Sequence, residues 1–297
     1  MNTNPNLFIV GAAKSGTTSL HNYLDQHPDI YMSRFKEPHF LINNEIGCDR
    51  IPRGISDEKD YYNLFLNGFN AKYRGESSVM YLMYPEIVIP KINNKFGNDS
   101  KIIIMLRNPV DRAYSGYHHV KRFNINETSI DFKFAWDISE ERYFSKNNMT
   151  PASRYKELGL YYKQVKLYLD KMKNVHVIIY DDYLNDFNKE IESVFDFLEL
   201  KHIKVDSNKK HMVGGWEWKN NNFKRLLYSD NWIKSSLKFL IPFYKIRNYV
   251  SAKFIQSEKS RVKAISNSDS KMLKSFYKED VQLLSKLLKR DLNYWVE

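Results

Sequence analysis

Cysteine is all but missing from these 297 residues: Cys48 stands alone. That excludes an intrachain disulfide, a disulfide framework and a C-x-x-C metal site. No apolar stretch has the length needed to span a bilayer, and no N-terminal run resembles a signal peptide. The expectation is a soluble protein of a reducing compartment. No internal repeat interrupts the chain. An acid is missing too, where a nucleotide-triphosphate hydrolase would carry its magnesium ligand. The apolar run "KIIIMLR" at 101–107 ends in Arg107 instead. "VIIYDD" offers Asp181 and Asp182 after another run, so a kinase is weakened and not excluded.

What is present is a globular chain, 42% hydrophobic, with a net charge of +11. Such basicity suits nucleic acid, acidic glycans or anionic membrane surfaces, and is shared by many proteins with no such partner. Strands are expected at Leu7–Val10, in "DIYMS", in "AKYRGESS", at 101–107 and at 175–182. Helical patterns separate them. One runs from within Ser15–Thr18 to about Gln26. Another carries Tyr161, Val165, Leu169 and Met172 on one face, and a third Ile191, Val194, Phe195 and Leu198. The alternation predicts βαβ units and a mostly parallel sheet, with ligands beyond the carboxyl ends of its strands. Residues 119–157 read as an irregular lid or substrate loop. Residues 216–254 read as basic amphipathic helices. A last helix at about Asp269–Leu292 has Leu273, Phe276, Leu284 and Leu288 near one face.

The first strand runs into "GAAKSGTTSL". A triphosphate loop reads G-x-x-x-x-G-K-[ST]. Gly11 and Gly16 keep that gap, but Thr17 takes the lysine's slot and Lys14 lies inside the loop. A glycine turn at a helix N-terminus offers backbone N–H groups to phosphate. Ser15, Thr17 and Thr18 add hydroxyls, and Lys14 a mobile cation. Arg107 at the end of a separate strand, with Ser115 eight residues on, makes a second cradle, since an arginine fork suits a doubly charged phosphate. Two cradles fit a nucleotide phosphorylated at two ends better than a triphosphate.

"GAAKSGTTSL", "HPDIYMSRFKEPHFL", "LRNPVDRAYSGYHH" and the C-terminal "FYKEDVQLLSKLLKRDLNYW" resemble, in order and spacing, the sulfotransferases that use 3′-phosphoadenylyl sulfate (PAPS). The likeness is to the branch of heparan sulfate and bacterial glycan sulfotransferases, and is weak at about 120–150 and 216–258. It implies an α/β fold with a P-loop-like central parallel sheet flanked by helices and a C-terminal helical extension. The chain would be one sulfotransferase domain over 1–297. Its core would lie at about 1–212 plus 259–297, with a basic, aromatic insertion at about 213–258. It further implies that Lys14 lies beside the sulfuryl group. Ser15, Gly16, Thr17 and Thr18 would hold the 5′-phosphate, Arg107 and Ser115 the 3′-phosphate, and no metal would be required. Glu37 occupies the position of the family's glutamate base in "KEPHFL", with His39 as its supporter or competitor. Lys210 in "KKHMVGGWEWKN" would close over the 3′-phosphate and adenine, with "KSR" at Lys259–Arg261 as its rival. Animal heparan sulfate enzymes carry glutamate-lysine where this chain has Glu76 and Ser77. Glu76 is thus either an acceptor contact or a strand-end residue.

The acceptor implied is a hydroxyl of a carbohydrate or glycolipid, without nucleic acid. The setting implied is a cytoplasmic, bacterial enzyme, with Trp216–Phe254 bordering the acceptor or touching a membrane peripherally. The rivals are a magnesium-dependent phosphoryl-transfer enzyme on the same loop and a non-catalytic polyanion-binding protein.

Overall fold

A computed structural model describes residues 3–124, 126–129, 131–146, 148–207, 215–219 and 259–297. In chain order its elements are β1 (Leu7–Gly11), α1 (Thr17–Leu24), β2 (Ile30–Met32), α2 (Phe40–Ile46), α3 (Glu58–Asn63) and β3 (Tyr73–Ser77). There follow α4 (Pro85–Phe96), β4 (Lys101–Leu106), α5 (Pro109–Phe123), α6 (Phe132–Asp137), α7 (Ser139–Ser145) and α8 (Tyr161–Lys171). Then come β5 (Asn174–Ile179), α9 (Tyr180–Asn185), α10 (Phe187–Phe197), β6 (Trp216–Trp218), β7 (Lys259–Arg261) and α11 (Asn267–Leu288).

Five strands form a wholly parallel sheet in the order β2-β3-β1-β4-β5. Successive side chains of a strand face opposite ways, so an apolar run feeds two cores at once. Leu7, Ile9, Ile103 and Met105 meet Leu20 and Leu24 of α1 and Val194 and Phe195 of α10. Phe8, Val10, Ile102 and Ile104 meet Val88 of α4, Ala113 of α5, Val165 of α8 and Val281 of α11. All of these are buried, and each contributes about 1.5–3 kcal/mol relative to exposure if leucine-sized. From β1 the chain builds the β2–β3 side first and then crosses to β4. The order therefore reverses between β1 and β4, the place where open α/β sheets leave a crevice.

Several expectations need correction. Residues 119–157 are no lid. The helix α5 continues to Phe123, and α6 and α7 bury Trp136 and Tyr143 against the core. Glu127 takes both nitrogens of Arg142, at 2.7 and 2.6 Å, and the Tyr155 hydroxyl at 2.6 Å, so this polar sequence is folded around a buried ion pair. The strand at 175–182 stops at Ile179, and Tyr180, Asp181 and Asp182 open the helix α9. Leu169 is 37% exposed, because Gln164 and Tyr168 complete the buried face of α8. Phe276 is 41% exposed, and Tyr277 and Val281 bury in its place, next to Trp136 and on the face that packs α8. Residues 216–218 form a strand rather than a helix, paired antiparallel with 259–261. Lys210, and residues 213–214 and 220–258 of the expected basic, aromatic insertion, lie outside the described residues. No described helix is long and apolar enough to cross a membrane.

Candidate active site

The loop after β1 is set by Gly16, whose φ of +90° favours glycine and whose absent Cβ would lie 2.8 Å from the Tyr180 ring. Lys14 is also left-handed, at φ 71°. The Ala12 N–H donates to the Met105 carbonyl at 2.7 Å, which ties the loop to β4. Gly16 caps α1 without a side-chain hydrogen bond, and the first turn of α1 has no acidic residue. The donors at this helix end and its partial positive charge are therefore left to a ligand. Ser15 is fully buried and its hydroxyl has no partner, as expected of a group awaiting an anion. Thr17 is buried and Thr18 half-buried beside it.

Around this loop the cations gather. Arg107, just past β4, donates to the Lys14 carbonyl at 3.3 Å, stacks over Tyr180 and lies 3.6 Å from Asp111. The Lys14 ammonium donates to His119 Nδ1 at 3.5 Å. Burial, then Arg122, Arg107 and Lys36, bring Lys14 down to about 8. Burial, then Lys14 and Arg122, bring His119 to about 3, so the ring stays neutral and can accept from the lysine. Ser115, His119 and Arg122 stand at i, i+4 and i+7 on α5 and so share one face. That spacing was readable in "SGYHHVKR", although only Ser115 was expected in the site.

The acid comes from the segment after β2. Glu37 sits at φ 65° and His39 at φ 49°, two left-handed residues held in place by β3. The Glu37 N–H donates to the Ser77 carbonyl at 3.0 Å, and the His39 N–H to the Ser78 hydroxyl at 3.0 Å. Glu37 Oε2 accepts from the Val79 N–H at 3.1 Å, and the Lys36 ammonium pairs with Oε1. His39 Nδ1 donates to the Glu37 carbonyl at 2.9 Å, which leaves Nε2 facing Glu37 Oε2 at 3.1 Å. Burial alone would raise this carboxyl, but Lys36 and His39 outweigh it and hold it well below the usual carboxylate range. Lys36, like His119 and Arg122, is a site residue absent from the expectation.

Glu76 is not an acceptor contact. It is fully buried and accepts from Ser78 at 2.6 Å, Tyr61 at 2.7 Å and Tyr81 at 3.0 Å, so it props the turn that carries Glu37. Asp181 and Asp182 are occupied as well. Asp181 accepts from Trp295 Nε1 at 2.6 Å and the Tyr294 hydroxyl at 2.8 Å, and Asp182 pairs with Arg290 at 2.6 Å. The acids that kept the kinase reading open thus anchor the C-terminal residues.

Residues 4–225, well over half of the chain, align with the sulfotransferase domain. The chain belongs to the sulfotransferase family. Its fold superposes on a sulfotransferase from Alicyclobacillus acidocaldarius with TM-score 0.75 at 29% identity, covering 100% of both chains. Human carbohydrate sulfotransferase 15 is 27% identical over 164 residues, 43% of this chain and 29% of that protein. The human bifunctional heparan sulfate N-deacetylase/N-sulfotransferase 2 is 30% identical over 135 residues, 46% of this chain and 15% of that protein. The chain therefore spans less than a third of the length of each of these two human enzymes.

Proposed function

We propose that this protein transfers a sulfuryl group from PAPS to a hydroxyl of a carbohydrate or glycolipid acceptor, with Glu37 as the base. The observation that carries the reading is the buried, unpartnered Ser15 hydroxyl at the α1 N-terminus, in a loop whose Lys14 carbonyl accepts from Arg107 at 3.3 Å. The α1 N-terminus and the unpartnered Ser15 hydroxyl would take the 5′-phosphate, with Thr17 and Thr18. Arg107 and Ser115 would take the 3′-phosphate, and Lys14 would steady charge on the leaving oxygen. A sulfuryl group carries less charge than a terminal phosphoryl group, so these cations replace a metal.

The segment at 259–261 suits the closing role, since the Tyr114 hydroxyl donates to the Lys263 carbonyl at 3.0 Å, one residue before Ser115. His39 is read as a support of Glu37, because its Nε2 lies 3.1 Å from Oε2 and, when protonated, would donate to that carboxylate. A sugar acceptor is favoured by the likeness to carbohydrate and heparan sulfate sulfotransferases.

The test combines binding with turnover. The PAPS product, 3′,5′-adenosine bisphosphate (PAP), should raise the melting temperature in EDTA. Ligand at 100 times its Kd stabilises by about 2.7 kcal/mol. With labelled PAPS and a panel of glycans, glycolipids and small alcohols, Glu37→Gln should keep that shift and lose about 10²–10⁴-fold in turnover. Magnesium-dependent ATP binding that PAP does not displace would overturn the reading in favour of phosphoryl transfer. Heparin binding indifferent to Lys14→Ala and Glu37→Ala, without turnover, would leave only a polyanion binder.

A further inference from the structure

Lys36 and Glu37 are neighbours in sequence whose side chains meet, which extended backbone would prevent by pointing them apart. The left-handed turn at Glu37 brings them together, although such a conformation costs a non-glycine residue about 1–2 kcal/mol. The two carboxylate oxygens then have different partners. Oε2 is fixed by the Val79 N–H and faces the anchored His39 ring. Oε1 is held, among the described residues, by the flexible Lys36 ammonium. Oε1 is thus the oxygen able to meet an acceptor hydroxyl, and Lys36 sits on it. The Lys36 side chain keeps 19% exposure, and its charge bears on Lys14, His21 and His119. It therefore belongs to the cation cluster on which the sulfuryl group would lie.

We infer that Lys36 is a donor-responsive clamp: it holds Glu37 in the free protein and moves to the sulfuryl oxygens when PAPS binds, releasing the base. This rests on Glu37 being the base. The transfer balances without further reactants. The acceptor oxygen bonds to sulfur, and the sulfur–oxygen bond to the 5′-phosphate breaks. The electron pair of that bond leaves with PAP, and the hydroxyl proton passes to the vacated Oε1. The titratable groups that bear on Glu37 are Lys36 and His39 on its own segment, Lys14 on the phosphate loop, His21 on α1 and His119 on α5. Lys36 is the largest influence that lowers the carboxyl, so its departure restores basicity when transfer is due.

The test is a double-mutant cycle read by titration of PAPS and, separately, PAP into the full chain without acceptor. One charge-assisted contact corresponds to about tenfold in Kd. Lys36→Met should weaken PAPS about tenfold and PAP less than about twofold, while Lys36→Arg restores most of the loss. Glu37→Gln should tighten PAPS by about threefold to tenfold, since no contact has to be broken, and leave PAP unchanged. In the Lys36→Met background, Glu37→Gln should then have no effect on either ligand. The clamp is overturned if Lys36→Met weakens PAP and PAPS equally, or if Glu37→Gln tightens PAPS with Lys36 absent. PAP binding serves as the folding control for each variant. Wild-type protein that binds neither ligand would sink the proposed function itself, a different outcome from either of these.

Discussion

Lys14 makes nucleotide binding sensitive to pH in a range where few other groups titrate. Burial is the largest cause of its shift, followed by the Arg122, Arg107 and Lys36 charges, and together they leave it at about 8. An ammonium of that pKa is ~90% charged at pH 7, ~50% at pH 8 and ~10% at pH 9. A bound phosphate supplies the counter-charge and restores the ordinary lysine value, so binding above pH 7 takes up a proton. A phosphate monoester loses its second proton near pH 6, so the ligand adds little slope of its own. PAP affinity should therefore fall about tenfold from pH 7 to pH 9, or about 1.4 kcal/mol. Titration calorimetry in buffers of different ionisation enthalpy should report uptake of about half a proton at pH 8. Lys14→Met should bind more weakly at pH 7 and lose the slope. The free protein responds in the opposite sense: the unfolded chain binds the extra proton between about 8 and 10.5, so this group favours folding more as pH rises through that window. An affinity flat from pH 7 to 9, or an equal slope in Lys14→Met, would refute the placement of a buried cation against the phosphate.

Gly16→Ala should destabilise the protein by about 2–4 kcal/mol, from left-handed strain and overpacking against Tyr180. A urea midpoint unchanged from wild type would count against the loop geometry, and the PAP-induced thermal shift should vanish with the substitution. Asp181→Ala should cost about 1–3 kcal/mol by stranding the buried Trp295 indole N–H, measured as a fall in the denaturation midpoint.

Much of the site was legible because its parts sit in short, continuous motifs. The strand-turn-helix around Lys14 and the strand-end position of Arg107 follow from local pattern, and the parallel sheet brings them together by topology alone. Glu37 came from likeness to a family, since nothing in "KEPHF" by itself marks a left-handed turn. Long-range side-chain pairing is what sequence withheld. The Glu127–Arg142 ion pair turns a polar stretch into packed structure across 15 positions, and periodicity carries no trace of it. Tyr277 displaced the expected Phe276 because its hydroxyl reaches the Tyr155 carbonyl at 2.9 Å, a partner 122 residues away. Lys36 was overlooked for the reverse reason: adjacent residues are read as pointing apart, and only a positive φ at Glu37 folds them onto each other.

The grip of Asp181 ties residues 294 and 295 to the first turn of α9. Tyr180, the very next residue, lies against Gly16 and beneath Arg107. A fusion or trimming that frees the tail would thus loosen α9, and the first place to register it would be the nucleotide cradle. Any change that frees residues 294 and 295 should accordingly be judged by donor affinity before melting behaviour.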